Sequence, residues 1–268
     1  MRIITEPKVY ILARQVINYD ELDRFLADLG VDWDTDTTIA AEVITETAGR
    51  LCYLSFARPR PGGNRTYLDH IKEAGHGSVL EHAVWSILIT NVSRSLTHEL
   101  VRHRAGMSFS QLSQRYVDES VAEYIEPDII ADDPDLHALW TAATRSAHDS
   151  YLTLVDALTK RLHDHDSTAS HHLPPYADKT TKRKAVRQAA RSLLPNSTET
   201  KIILTANARS LRHFIELRSS AAADPEIRKL ANTIYERLLQ ESPNIFGDYT
   251  RNPLPDGTYE LITPYQKV

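Results

Sequence analysis

The chain has 268 residues, with 31 Lys and Arg against 36 Asp and Glu and a formal net charge of −5. This length suits one large domain or two small ones with a real core, and the mild acidity excludes a general polyanion binder, so any anion binding must be local. The single cysteine, Cys52, excludes an intramolecular disulfide and a cysteine-based zinc site. No apolar run approaches the roughly 20 residues of a membrane helix. The N-terminal run is broken by Glu6, Pro7 and Lys8, unlike a signal peptide. A cytoplasmic protein is expected.

In chain order, KVYILARQVI is rich in β-branched and aromatic residues and reads as a strand. DELDRFLADLG reads as a helix stopped by Gly30, TTIAAEVITETAGRLCYLSF as a helix, RPRPGGN as a loop, and TYLDHIKEAG as a helix closed by Gly75. AVWSILITNVS reads as a strand running into the helix SRSLTHELVRHR, capped by Ser93 or Ser95 and stopped at Gly106. A long helix follows from the Asp and Pro of DDPDL through LTKRL. Residues 163–178, polar and histidine-rich, read as a loop. TKRKAVRQAARSLLP is a helix ending before Pro195, and ETKIILTAN a strand entering a helix that Asn207 can cap. DPEIRKLANTIYERLLQESP is a helix with Asp224 as cap and Pro225 in its first turn, and the tail after Pro243 reads as irregular. The expected class is α+β, a single domain over residues 1–268 with long helices on a small, mostly antiparallel sheet.

Chemistry concentrates in HELVRHRAGMSFSQLSQRY, His98 to Tyr116. If the preceding helix runs to Arg104, then Arg102, His103 and Arg104 occupy its last turn, where the helix dipole favours cations. The two guanidiniums then point about 100° apart and serve two ligands or two parts of one. Gln111, Ser113 and Arg115 lie at spacing two and share one face if extended, as a phosphate or nucleobase seat. Cys52 lies in an apolar pattern and reads as a small buried residue.

RHRAGMSFSQLSQRY resembles the signature of the flavin-dependent thymidylate synthases. Eight residues, Ala105 to Leu112, separate Arg104 from Ser113, one more than the signature has, which reads as an insertion near Ala105–Met107. GHGSVLEH, RQAARSLLPNSTET and NARSLRHFIELRSS resemble three further blocks of that family in the same order, so the resemblance spans about residues 39–246.

The resemblance implies reductive methylation of dUMP to dTMP. FAD carries the hydride, methylenetetrahydrofolate donates the carbon and leaves as tetrahydrofolate, and NADPH is the reductant. It also implies a homotetramer with sites shared between subunits, no nucleic acid polymer or membrane partner, and no metal. By match, Arg218 is the catalytic residue at the uracil edge. Ser78, Arg102, His103, Arg104, Gln111, Asn207, Ala208, Arg209 and His213 match flavin positions. Glu99, Leu100, Val101, Arg102, Gln111, Leu112, Ser113, Gln114, Arg115, Arg191 and Arg218 match nucleotide positions. Arg183 and Arg187 share a helical stripe with Arg191 but read as a solvated face. His82 reads as a structural histidine, and His76 stays open between that and a site role.

Three other readings stay open. A metal-dependent hydrolase could use the histidines, although His98 and His103 stand about 140° apart on a helix. A non-catalytic RNA-binding module could stack bases on Phe109 and Tyr116. A family member whose insertion has cost it catalysis would still bind FAD.

Overall fold

The computed structural model describes residues 2–58, 61–163, 168–174 and 176–266. Its first elements are strands β1 (Arg2–Ile4) and β2 (Lys8–Arg14), then helices α1 (Tyr19–Asp28), α2 (Ala40–Cys52) and α3 (Gly63–Glu73). Strand β3 (Val84–Ser93), helix α4 (Arg94–Leu100) and strands β4 (Met107–Gln111) and β5 (Glu123–Ile125) follow. Helices α5 (Asp128–Ala131), α6 (Pro134–His163) and α7 (Lys179–Ala190) precede strand β6 (Glu199–Asn207). Helices α8 (Ala208–Arg218), α9 (Pro225–Glu241) and α10 (Pro243–Phe246) and strands β7 (Thr250–Pro253) and β8 (Tyr259–Ile262) complete the chain. This is the expected α+β class, with a small, mostly antiparallel sheet of order β2-β3-β6-β4.

The chain divides into two compact units. The first comprises Met1–Glu6, Thr90–His98 and Gln111–Lys201; the second comprises Pro7–Ile89, Glu99–Ser110 and Ile202–Val268. In the first, α6 begins where the Asp133 carboxylate accepts from the amides of Asp135 and Leu136 at 2.9 and 3.2 Å, which satisfies two of the helix's orphan donors. Helix α7 packs on α6 and is capped by Asp178, which accepts from Thr181 N–H at 2.8 Å. Strand β1 pairs in parallel with β5. In the second unit β3 buries Trp85, Ile87 and Ile89 at every other position, the alternation of a strand with one face in the core. Trp85 meets Phe246 of α10 edge to face at 5.7 Å.

Several expectations from sequence need correction. Helix α4 ends at Leu100, so Arg102, His103 and Arg104 lie beyond it and not in its last turn. Ser113 to Val117 form a turn, not an extended segment: the Ser113 carbonyl accepts from the amides of Tyr116 and Val117, both at 3.1 Å. The spacing-two argument therefore does not put Gln111, Ser113 and Arg115 on one face. The tail is ordered as α10 and the antiparallel β7–β8 hairpin. Cys52 is exposed, because the last turn of α2 turns Arg50 inward and leaves Leu51 and Cys52 outside. Pro59 and Arg60 of the proline-glycine loop, and His165 of the histidine-rich stretch, lie outside the described residues.

Candidate active site

Helix α8 organises the second unit's main pocket. Asn207 caps it, accepting from Ser210 N–H at 2.9 Å. Its buried side carries Ala208, Leu211, Phe214 and Ile215. The opposite stripe, Arg209, Ser210, His213, Glu216 and Leu217, follows the three-to-four residue helical repeat and lines a cavity of about 720 Å³. The segment Arg102 to Met107, Asn207, Glu81, Arg212, Arg218 and Tyr265 complete the wall. Five of these residues are arginines against two glutamates; Arg209, Arg212 and Arg218 are ion-paired to Glu81, Asp248 and Glu99, and Arg102 and Arg104 add further positive charge to the lining.

The segment Ala105–Met107 is seated on the start of α8. Ala105 C=O accepts from Ser210 Oγ at 2.6 Å, and Gly106 C=O accepts from Asn207 N–H at 3.3 Å. Gly106 has φ +68°, and a Cβ built on it would lie 2.2 Å from Ser210 Oγ and 2.5 Å from Asn207 Nδ2. The segment turns here through a left-handed conformation that only glycine enters without strain. Gly106→Ala is expected to destabilise the protein by about 1–3 kcal/mol, as read by urea unfolding. An unchanged value would show that the turn is not tight.

Arg218, at the end of α8, is clamped from two sides. Its Nε donates to His103 Nε2 at 2.9 Å and its Nη1 to Glu99 Oε2 at 2.7 Å. An arginine only donates, so His103 Nε2 must present a lone pair and the ring proton sits on Nδ1. Burial, then the charges of Arg218 and His213, hold His103 down at about 4, so it is neutral at physiological pH. Phe214 packs edge to face on the same ring at 5.3 Å. The clamp fixes the guanidinium plane while Nη2, unpartnered among the described residues, is left to donate to a ligand.

The first unit carries further arginines with buried, unpartnered donors, Arg94 and Arg115, with Arg94 coupled to Arg191 and Glu119. Buried Nη1 of Arg94, Nε of Arg115, Nε2 of Gln114 and Oε1 of Glu119 have no hydrogen-bond partner among the described residues. Burial, opposed by Glu119 and reinforced by Arg191, lowers the Arg94 guanidinium, and burial raises the Glu119 carboxyl. Orphaned buried donors are costly unless something accepts from them, and Arg94, whose charge is felt at Glu119 and which feels that of Arg191, is suited to an anion. Arg187 braces this turn through Tyr116 C=O at 2.6 Å and Asp118 at 2.9 Å, so it is not the solvated residue its stripe suggested. Arg94 was missed from sequence because, directly after the Ser93 cap, it reads as ordinary first-turn surface.

Of the residues matched to flavin, Arg102, His103, Arg104, Asn207, Arg209 and His213 line the main pocket. Ser78 is exposed in the short helix Gly77–His82 and is not among the lining residues. Ala208 is fully buried, donating to Ala83 C=O at 2.8 Å, so its part is packing beneath the site. Of those matched to nucleotide, Glu99 is held by Arg218, Leu100 is fully buried and Val101 half-buried. Gln111 to Arg115 and Arg191 belong to the first unit. There Gln111 Nε2 donates to Thr97 and Thr200 at 3.1 and 3.3 Å, and Leu112 N–H to Lys201 C=O at 2.9 Å. His82 is exposed, and His76 stacks on Tyr53 at 6.0 Å. Among the described residues no three histidine, cysteine or carboxylate side chains come together to hold a metal, and no helix is long and apolar enough to cross a membrane.

A pocket rich in guanidiniums, and half-buried arginines with unpartnered buried donors in the first unit, suit phosphorylated, planar ligands. The chain belongs to the thymidylate synthase complementing protein family, whose model matches residues 35–244. A flavin-dependent thymidylate synthase of Mycolicibacterium gilvum is 46% identical over 242 residues, 90% of this chain and 92% of that protein. One from Corynebacterium efficiens is 43% identical over 243 residues, again 90% and 92%. The crystal structure of a UMP/dUMP methylase, PolB from Streptomyces cacaoi, bound with 5-Br dUMP, is 19% identical. It covers 92% of this chain and 96% of that chain at a TM-score of 0.62, a likeness of fold.

Proposed function

We infer that the main pocket and the first unit's arginines serve the reaction of this family, reductive methylation of dUMP to dTMP. Methylenetetrahydrofolate is the carbon donor, tetrahydrofolate the product and NADPH the reductant. The observation that carries the reading is the clamped Arg218 inside a pocket of five arginines. An anionic flavin dinucleotide suits that lining, and FAD supplies hydride-carrying chemistry when bound. Arg102, Arg104, Asn207, Arg209 and His213 would hold it.

Arg218 acts on the pyrimidine. A fixed guanidinium at the uracil edge stabilises the negative charge left when N3 loses its proton, which makes C5 more nucleophilic. Glu99 and His103 act through Arg218 by fixing its plane. Arg94, Arg115 and Arg191, with Ser113 and Gln114, offer the donors a nucleotide phosphate needs. Because both units are built from interleaved segments of one chain, we read residues 1–268 as one functional domain. We read it as a cytoplasmic homotetramer with shared sites.

Two measurements test this. Tritium release from C5-labelled dUMP, with methylenetetrahydrofolate and FAD supplied, is expected to require NADPH; NADPH-independent release, or none with FAD and dUMP bound, contradicts the reading. His103→Gln, which can keep an acceptor near the place of Nε2, is expected to retain kcat within a few-fold, whereas His103→Leu loses about tenfold or more, roughly the worth of a charge-assisted hydrogen bond. The unfolded chain binds a proton at His103 near 6.5 and the folded chain only near 4, so this residue lowers stability as pH falls between those values. His103→Gln is expected to flatten that part of the urea-unfolding profile.

A further inference from the structure

The tail after β8, which the sequence leaves featureless, reaches the main pocket. Tyr265 lines the 720 Å³ cavity, and Thr263 and Gln266 line a neighbouring one of about 300 Å³. His213, Glu216 and Leu217 of α8 line both cavities. The tail is held by a buried ionic cluster. Asp248 takes Arg212 in two bonds at 2.6 and 2.8 Å and Lys72 Nζ at 2.9 Å. The Thr263 hydroxyl donates to the same carboxylate, and Thr263 Oγ1 accepts from Tyr265 N–H at 3.0 Å. Lys72 Nζ stands 5.3 Å from the Tyr265 ring centroid, within cation–π range. Lys72, Arg212 and Asp248 have side-chain exposures of 1%, 2% and 7%, so a buried ionic cluster holds the segment that carries the Tyr265 ring.

We propose that Tyr265 is a ligand-contacting residue of the main pocket, its ring forming the wall on which the planar heteroaromatic ring of a bound flavin or pterin stacks. The proposal rests on the reading of the pocket given above. The lining carries guanidinium, imidazole, carboxylate and backbone groups, with Ala105, Met107 and Leu217 as its apolar side chains and, among the described residues, Tyr265 as its one six-membered aromatic ring. A tyrosine supplies a flat face at little entropic cost, and the contacts of Thr263 and Lys72 hold it in place against the pocket.

The test compares full-length wild type, Tyr265→Phe and Tyr265→Leu. FAD affinity is read by flavin fluorescence, and methylenetetrahydrofolate affinity by calorimetry on the FAD-loaded protein with dUMP present. Thermal midpoints report folding. Tyr265→Leu keeps bulk without a π face and is expected to weaken one of the two ligands by about tenfold, naming which ring it faces. Tyr265→Phe stays within about twofold. Leucine and phenylalanine variants that both match wild type for both ligands overturn the proposal while leaving the pocket reading intact. A wild-type protein that binds neither FAD nor the folate overturns both.

Discussion

Arg218→Ala lowers kcat for tritium release by two to three orders of magnitude, about the cost of removing one preorganised donor from a developing anion. The loss falls on kcat more than on KM, because charge at the pyrimidine edge grows toward the transition state. Arg218→Lys recovers little. Lysine brings the charge but not the planar fork, and it cannot donate to His103 and Glu99 from two fixed nitrogens while a third faces the ligand. An alanine variant with unchanged kcat and a raised KM alone would make Arg218 a simple binding residue and remove it from the chemistry.

Asp248→Asn destabilises the fold by about 3–5 kcal/mol, because it leaves the buried cations Arg212 and Lys72 without their shared anion. Asp69, which also reaches Lys72 at 3.0 Å, is 39% exposed and replaces little of it. Burial opposes the ionised carboxyl, yet Arg212, Lys72 and Thr263 outweigh it and hold Asp248 at about 2. The stabilisation is present above the ordinary aspartate value of 3.8 and is lost as pH falls from there toward 2. Urea unfolding at pH 7 and pH 3 measures both statements. Because the same cluster carries the tail, Asp248→Asn should also loosen Tyr265. A variant as stable as wild type at pH 7 would show that the cluster contributes nothing net.

Elements whose start and stop signals are local were readable from sequence. Asn207 and Asp224 cap α8 and α9 as expected, because a short polar side chain before an apolar helical pattern satisfies the first orphan amides. The β6 boundaries, Glu199–Asn207, coincide with the expected strand. Features that depend on distant partners were not readable. The three-residue strands β1 and β5 have no periodicity to detect and exist through each other. The β7–β8 hairpin carried a Pro255-Asp256-Gly257 turn signal, with Gly257 at φ +80°. Its strands are only four residues long and β7, Thr-Arg-Asn-Pro, is polar, so the pattern reads as irregular. Arg187 differs from a solvated arginine only through Asp118 and Tyr116, about 70 residues away in sequence. The site divides in the same way. The matched motifs led to Arg102, His103, Arg104, Asn207, Arg209, His213 and Arg218, all in one pocket. Arg94 and Tyr265 needed the fold, since nothing in their local sequence separates them from surface residues.

The most direct test of the central claim is product identity in a single turnover. Full-length protein with reduced FAD, dUMP and methylenetetrahydrofolate is quenched, and the nucleotide and folate are separated and weighed by mass spectrometry. The account predicts dTMP with tetrahydrofolate, the folate having given up a carbon but no hydride. Dihydrofolate in amounts equal to dTMP, or unaltered dUMP with both ligands bound, would contradict it.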